Sequence, residues 1–345
     1  MILKRIPLPI TLGLFAVLLL ITAISSITVG PMNIGFIESV QSLLLKSEQL
    51  APHVHLVIHE IRFPRTLLCM LVGAILALCG TVMQGLFRNP LAEPGIIGVS
   101  AGASLGAAIA IVMFADVFAK YPTLMNIAAL PMFAFLGGAL TTVLVYKLGT
   151  SKLGTSVTIM LLAGVAISAL SGAGIGYMNF IADDQMLRDL SLWSMGSLAG
   201  ANLTSLALCS VTLLILGACF YRRAMALNAL LLGEAEAAHL GIAVQRLKRQ
   251  LILLTAVGVG VTVSVSGMIG FIGLVIPHLG RMLTGPDHRS LLPISALMGA
   301  LLLTFADMFS RVAVAPAELP VGIVTAIIGA PFFIYLLFQQ KGKIL

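Results

Sequence analysis

The feature that most constrains the fold of this chain is its series of apolar runs of about 20 residues, the length of a helix that crosses a bilayer. Backbone polar groups find no water in hydrocarbon, so each run must be a helix that satisfies its own hydrogen bonds. Of the 345 residues, 59% are hydrophobic and 10% are charged, whereas soluble domains carry about 25% charged residues. We therefore predict an all-α polytopic membrane protein, a single transmembrane domain over 1–345 with ten spans, near 8–29, 64–85, 95–114, 126–147, 155–179, 203–220, 249–267, 269–283, 291–312 and 320–339.

Two of these assignments need a separate argument. The apolar run from Ile6 to Val29 follows a cationic start but lacks a convincing small-residue cleavage site, which favours a retained first span over a removed signal peptide. Gly267 and Gly270 interrupt one long apolar run, so the seventh and eighth spans are the hardest to separate.

The distribution of Lys and Arg predicts the orientation. Ten spans place both termini on one side, and the side with the excess of Lys and Arg is cytoplasmic. Of the 20 Lys and Arg residues, six fall on the side opposite the termini, namely Lys46, Arg62, Arg65, Lys120, Arg188 and Arg311. The remaining fourteen lie on the side of the termini, which we predict to be the cytoplasm.

Small residues recur at helical spacing on two of the predicted spans. Gly73, Ala77 and Gly80 fall on one face of the second span together with Gln84, and Gly98, Gly102 and Gly106 repeat on the third. Small faces let helix backbones approach closely in lipid, where no hydrophobic drive pulls helices together. Both faces are expected to be helix contacts.

The longest clearly polar helix-forming segment, 229–249, lies between two apolar spans on the predicted cytoplasmic side and reads ALLLGEAEAAHLGIAVQRLKR. A charged helical hairpin in this place is typical of a permease that a separate motor protein drives. The chain has no G-x-x-x-x-G-K-[ST] phosphate loop, since the nearest string, 149–155, has no lysine after its second glycine. ATP must then be handled by another protein, and coupling helices are predicted over 229–246.

Asp307 is the one clear acid within a predicted span. A buried acid is expected in an ion-coupled carrier, but Arg311 lies one helical turn later and offers an intrahelical partner. Arg62, Arg65 and Arg311 gather at the predicted outer ends of the second and ninth spans. Two interpretations stay open for them: arginines that snorkel to the interface, or guanidinium groups that dock acidic groups of a delivery protein.

Six segments together resemble one family, the FecCD/BtuC-like permeases of type II ATP-binding-cassette importers, which take up iron-siderophores, haem and vitamin B12. The resemblance covers about 60–337, with the segments in order: IRFPRTL (61–67), GTVMQGLFRNPLAEPGIIGVSAGASLG (80–106), WSMGSL (193–198), LGEAEAAHLG (232–241), SGMIGFIGLVIPHLGR (266–281) and DMFSRVAVAPAELPVGIVTAIIGAPFFIYLL (307–337). It implies a ten-helix subunit that works as a homodimer in the bacterial inner membrane. The implied partners are two cytoplasmic ATPase subunits and a periplasmic binding protein, and nucleic acid is not among them.

The resemblance also implies roles for individual residues. Arg62, Arg65 and Arg311 correspond to arginines that receive acidic residues of the binding protein. The contact with the ATPase falls on Gly233, Glu234, Leu240 and Gly241, and the cytoplasmic gate falls on Gly149, Thr150, Ser151 and Gly154. The subunit is expected to be a transport subunit and not an enzyme. It is expected to bind no cofactor and no metal, with ATP and magnesium on the partner ATPase.

Haem is the substrate that the resemblance favours, because LRDLSLWSMGSLAGA (187–201) is most similar to the haem-importing branch, with Arg188 before the WSMGSL motif. Arg188 is a candidate contact for a haem propionate, or alternatively a loop arginine paired with Asp183, Asp184 or Asp189. A ferric siderophore or cobalamin is the alternative cargo. His53, His55 and His59 cluster in the first outer loop, where His55 and His59 could share a helical face, with a solvated loop as the default reading and transient iron contact as the other.

Two rival functions are weaker. An ion-coupled secondary transporter would need more buried acids or a proton relay than this chain offers. A membrane-bound enzyme would need a converging acid–base or metal set, and no such set has workable spacing in the sequence.

Overall fold

A computed structural model describes residues 7–32, 34–44, 51–151 and 154–341. The chain is almost entirely helical within these ranges. The helices are α1 (Leu8–Thr28), α2 (Phe36–Leu44), α3 (Pro52–Leu56), α4 (Phe63–Phe87), α5 (Val99–Met113), α6 (Ala115–Lys120), α7 (Pro122–Leu124), α8 (Leu130–Gly149), α9 (Val157–Ile181), α10 (Asp184–Ser194), α11 (Leu203–Arg222), α12 (Ala224–Leu232), α13 (Glu234–His239), α14 (Val244–Ser266), α15 (Ile272–Thr284), α16 (His288–Val312) and α17 (Val321–Lys341).

Short irregular elements complete the described chain. A π-helical turn, Val57–Arg62, joins α3 to α4, and a second one, Met125–Ala129, leads into α8. A 3-10 turn, Pro94–Ile97, precedes α5. Strands β1 (Thr150–Ser151) and β2 (Gly154–Thr155) pair antiparallel between α8 and α9.

The predicted all-helical membrane fold is confirmed. Eight helical stretches of the described chain are long and apolar enough to cross a bilayer, the longest being the continuous Pro52–Phe87. Two further apolar helices, α5 and α15, are shorter, with 15 and 13 residues. The predicted spans 95–114 and 269–283 are therefore too long, because irregular segments occupy their first residues.

The polar segment also differs from its predicted extent. Residues 229–232 are the end of α12, and the long helix α14 already begins at Val244. The prediction of coupling helices over 229–246 and of a span over 249–267 placed this second boundary too late. Helix propensity alone does not mark the boundary, because Arg246 to Arg249 are good helix formers that continue α14 beyond its apolar part.

Helix α4 forms the centre of the subunit, packed against α16, α15, α11 and α14. Gly73 and Gly80 explain how its neighbours come so close. A Cβ on Gly73 would lie 2.2 Å from the carbonyl oxygen of Gly299, and one on Gly80 would lie 2.0 Å from that of Gly273. The predicted small-residue face of the second span is thus a contact face, and its substitution would force the helices apart.

Two irregular segments meet beside this core. The chain after α4 is folded back and buried at Pro94 and Ile97, and the backbone N–H of Phe271 donates to Oε1 of Glu93 at 3.2 Å. Phe271 adopts a left-handed backbone conformation with φ of 68° immediately before α15. Irregular backbone at this depth is tolerated because protein groups satisfy it.

Candidate functional site

A two-stranded hairpin occupies the position of the predicted cytoplasmic gate. Gly149 ends α8, Thr150 pairs with Thr155, and Ser151 pairs with Gly154. The hydroxyls of Thr150 and Thr155 lie 3.1 Å apart, and the N–H of Ser156 donates to the carbonyl of Gly149 at 2.9 Å. We call the paired residues Thr150–Ser151 and Gly154–Thr155 the gate hairpin; residues 152–153 lie outside the described chain. Its role as a gate stays a prediction.

The predicted ATPase contact forms a short helix between two glycines, which we call the coupling segment (Leu232–Gly241). Gly233 has φ of 137° and Gly241 has φ of 82°, so both turns use conformations that favour glycine. Leu232 and Leu240 are 68% and 65% exposed at the two ends of α13. Two exposed leucines beside acidic side chains make a surface suited to a protein partner.

A groove runs alongside α13. It has a volume of about 480 Å³ and is lined by Glu234, Ala235, Ala238 and residues 243–246. Glu234 does not point freely into solvent, because its Oε1 lies 2.5 Å from Nζ of Lys248, whose side chain is 3% exposed. Glu234, which the resemblance assigns to the contact with the ATPase, thus also forms an ion pair with Lys248 inside the subunit.

Asn228 connects α12 to the loop before α16. Its side-chain amide donates to Oδ1 of Asp287 at 2.6 Å, and its Oδ1 accepts from the N–H of His288 at 2.9 Å. The N–H of Arg289 and the Asn228 amide hold the pKa of Asp287 below its usual range. These contacts tie α12, which leads into the coupling segment, to the start of α16.

The three predicted outer arginines do come together, but their guanidinium groups are buried. Arg62, Arg65 and Arg311 are 2%, 4% and 2% exposed. Arg62 donates to the carbonyls of Ile27 and Thr28 at 3.1 and 2.6 Å. Snorkelling is therefore wrong for all three, because each head group is turned inward onto protein acceptors.

Asp307 neutralises two of these arginines. Nη2 of Arg65 lies 2.8 Å from Oδ1 of Asp307, and Nε of Arg311 lies 3.1 Å from Oδ2. The predicted pair of Asp307 with Arg311 is confirmed, and Arg65 is a second partner. Arg65 also donates through Nη1 to Glu318 at 2.7 Å, and the Glu318 side chain is 36% exposed.

A cavity of about 530 Å³ opens over this cluster, and it is lined by Pro31, Met32, Val57, Ile61, Arg62, Arg65, Arg311 and Glu318. An acidic side chain of a partner entering here would reach arginines rather than lipid. The docking role of the three arginines stays a prediction, with Glu318 as a competing carboxylate already in place.

Arg188 lies on the exposed side of α10. Asp183 uses its carboxylate to accept from the N–H of Met186 at 2.8 Å, and Asp189 accepts from Gln185 at 3.0 Å. Within the described ranges no ion pair joins Arg188 to Asp183, Asp184 or Asp189. The alternative of a paired loop arginine therefore does not fit this structure.

The histidines predicted to lie in a solvated outer loop lie instead on helical backbone, with His53 and His55 on α3 and His59 on the π-helical turn. His55 and His59 stack with ring centroids 4.2 Å apart, as the shared helical face predicts, and Nε2 of His59 lies 2.9 Å from the carbonyl of Ser42. Across the part of the chain that the structure describes, no group of three His, Cys, Asp or Glu side chains is placed to hold a metal ion.

Three residues that contact the candidate sites were not predicted from the sequence, namely Lys248, Gln245 and Glu318. Lys248 sits in a cationic run that reads as solvated, yet it is 2% exposed. Its burial follows from the helix period, because Val244, Leu247, Lys248 and Leu251 share one buried face of α14. That periodicity was the available signal.

Three kinds of comparison with known proteins all match this chain to transport proteins. The model of the FecCD transport family matches residues 18–339. The Hemin transport system permease protein HmuU of Yersinia pestis is 44% identical over 335 residues, 96% of each chain. The Vitamin B12 import system permease protein BtuC of Vibrio cholerae is 42% identical over 289 residues, 82% of this chain and 83% of that one. A solved structure of an inward-facing metal-chelate type ABC transporter has a TM-score of 0.82 at 35% identity and covers 96% of this chain and 99% of its own.

Proposed function

This chain belongs to the FecCD transport family, and from that membership we propose that it is the permease subunit through which an ABC importer moves haem. The chain is a multi-pass membrane permease of an ABC importer, as its motifs led us to expect. The choice of haem within this class is the proposal.

The observation that carries the haem assignment is the 44% identity to a hemin permease over 96% of both chains. Arg188 adds support, since it is exposed and free of the three nearby aspartates. A guanidinium fork is well suited to a propionate carboxylate. Cobalamin is the second candidate, favoured by the 42% identity to a vitamin B12 permease.

The working assembly that we propose is a homodimer in the bacterial inner membrane with both termini in the cytoplasm. Several membrane helices are largely uncovered in the single subunit, including α8 and α9, whose most apolar stretches are each 22% buried. A second copy of the chain and lipid would cover them, and the path for the cargo would follow the interface between the copies.

The proposed energy source is a pair of cytoplasmic ATPase subunits that bind ATP and magnesium, since this subunit is proposed to bind neither. They would seat on the coupling segment, where Leu232 and Leu240 are exposed. A periplasmic binding protein would deliver the cargo at the cavity beside Arg62, Arg65 and Arg311. ATP-driven closure of the ATPases would then rock the subunits and open the gate hairpin.

The test is reconstitution of the permease in liposomes with its ATPase and binding protein, with haem, a ferric siderophore and cobalamin offered in separate experiments. We expect ATP-dependent uptake of haem that persists when ion gradients are collapsed. Faster uptake of cobalamin or of a siderophore would overturn the haem assignment. Uptake without the ATPase that disappears with the ion gradient would favour the secondary-transporter alternative and contradict the proposal.

A further inference from the structure

The gate hairpin and the coupling segment are joined by side chains of α14. Lys248 lies about one turn into α14, on its buried face, and is 2% exposed. Its Nζ reaches in two directions, to Oε1 of Glu234 on α13 at 2.5 Å and to the backbone carbonyl of Thr155 at 3.1 Å. One buried cation thus contacts both elements.

Gln245 supplies a second attachment one turn earlier on the same helix. Its Oε1 accepts from the backbone N–H of Thr155 at 2.9 Å. A Cβ on Gly154 would lie 2.6 Å from Nε2 of the same glutamine, so the hairpin backbone lies directly against this side chain. Both backbone polar groups of Thr155 are therefore held by α14.

These contacts are costly to break. A lysine removed from water needs a carboxylate and further acceptors to offset its desolvation, and Glu234 and the Thr155 carbonyl supply them. A displacement of α13 that moves Glu234 must either carry Lys248 and Thr155 with it or leave a buried ammonium without its partners. Joint movement of α13, Lys248 and Thr155 therefore costs less free energy than separation of the ion pair.

We propose that Lys248, which contacts both elements, and Gln245, which holds the hairpin to α14, are positioning residues through which a push on α13 by the ATPase moves the gate hairpin within one subunit. This inference rests on the proposed function, because it gives the ATPase a route to the gate. It adds no contact with cargo or nucleotide.

The linkage can be tested first without any transport. Hydrogen–deuterium exchange of a peptide that spans 149–156 should rise at least about fivefold in the Gln245→Ala and Lys248→Gln variants, the lower end of typical coupling between sites. Arg249→Gln is the matched control, since Arg249 is the exposed neighbour on the same helix. Exchange in the Gln245→Ala variant that equals that of the control would overturn the inference.

The second measurement is cargo uptake per ATP hydrolysed in proteoliposomes. We expect about a fivefold or larger fall in Lys248→Gln and Gln245→Ala at unchanged ATPase assembly, with Arg249→Gln like the wild type. Gln245 is exposed, so the Gln245→Ala variant tests the linkage without a buried charge being removed. Normal coupling in both variants would overturn the inference.

The two proposals fail in different ways. If the unsubstituted protein takes up none of the three cargoes with ATP, the proposed function fails. The linkage can still be tested in that case, by hydrogen–deuterium exchange at the gate hairpin after the ATPase and nucleotide are added. A change in exchange that occurs in the unsubstituted protein and is lost in both variants supports the linkage. If the unsubstituted protein does take up cargo with ATP but the exchange response survives in both variants, the linkage is refuted while the proposed function stands.

Discussion

Arg65 and Asp307 form a buried ion pair between residues that are 242 positions apart in the chain, with Nε of Arg65 2.9 Å from Oδ1 of Asp307. The pair joins the beginning of α4 to the end of α16, and Arg311 approaches the same carboxylate from its other side. One acid therefore holds two buried guanidinium groups at the predicted outer end of the bundle.

Replacement of Asp307 by asparagine should destabilise the subunit strongly. It removes the negative charge that two buried arginines share, and loss of one partner of a buried pair costs about 3–5 kcal/mol. Thermal denaturation of the detergent-solubilised protein measures the loss. Glu318→Gln is the control, since the Glu318 side chain is 36% exposed and a surface pair contributes roughly 0–1 kcal/mol. Equal melting temperatures for the two variants would contradict this role for Asp307.

Glu318 should compete with the binding protein for Arg65. Glu318→Gln removes that competing charge, so docking of the binding protein should tighten by up to about fivefold at low salt, as expected for a surface pair of about 1 kcal/mol. Binding to permease in nanodiscs across a salt series is the measurement. The exposed Glu60 on the π-helical turn provides a matched Glu→Gln control. Weaker or unchanged docking by Glu318→Gln would count against Arg65 as a docking residue.

Leu240→Ser should weaken assembly with the ATPase without harming the free permease. Leu240 is 65% exposed in the single subunit, so its truncation removes little internal packing. At an interface a buried leucine would contribute on the order of 1–2 kcal/mol, or roughly tenfold in affinity. Co-purification and titration of the ATPase measure the change, with the adjacent exposed His239→Ser as the control. An unchanged affinity would place the ATPase contact elsewhere.

Gly241→Ala should alter the coupling segment through its backbone conformation. Nothing lies within 4 Å of a Cβ built on this glycine, but its φ is 82°. The expected effect is therefore conformational strain of about 1–2 kcal/mol, which should shift α13 and lower the uptake per ATP while the ATPase still binds. If transport coupling is unaffected, the geometry of this turn is not needed for coupling.

Arg188→Ala should slow the uptake of haem and leave that of cobalamin unchanged, because only haem presents propionates to a guanidinium group. A loss of about tenfold corresponds to one charge-assisted hydrogen bond of roughly 1.5 kcal/mol. Alanine variants of His53, His55 and His59 are the comparison in the same liposomes. Equal haem uptake by all four variants would remove the main residue-level argument for haem.

Much of this molecule could be predicted from one sequence. The apolar runs at 8–29 and 291–312 predict α1 and α16 to within a few residues, because the thickness of a bilayer sets their length. The face formed by Gly73, Ala77 and Gly80 predicts a helix contact, because helical spacing alone places these residues together. The intrahelical pair of Asp307 and Arg311 follows from the same periodicity.

The partners across the fold could not be predicted in this way. Periodicity shows that Lys248 belongs to a buried face, but only the tertiary structure brings it to Thr155, 93 positions away, and brings Arg65 to Asp307. The short lengths of α5 and α15 were likewise decided by the buried segments before them. Hydropathy and helical period are local properties of the chain, whereas a buried charge is placed by whichever distant group can neutralise it.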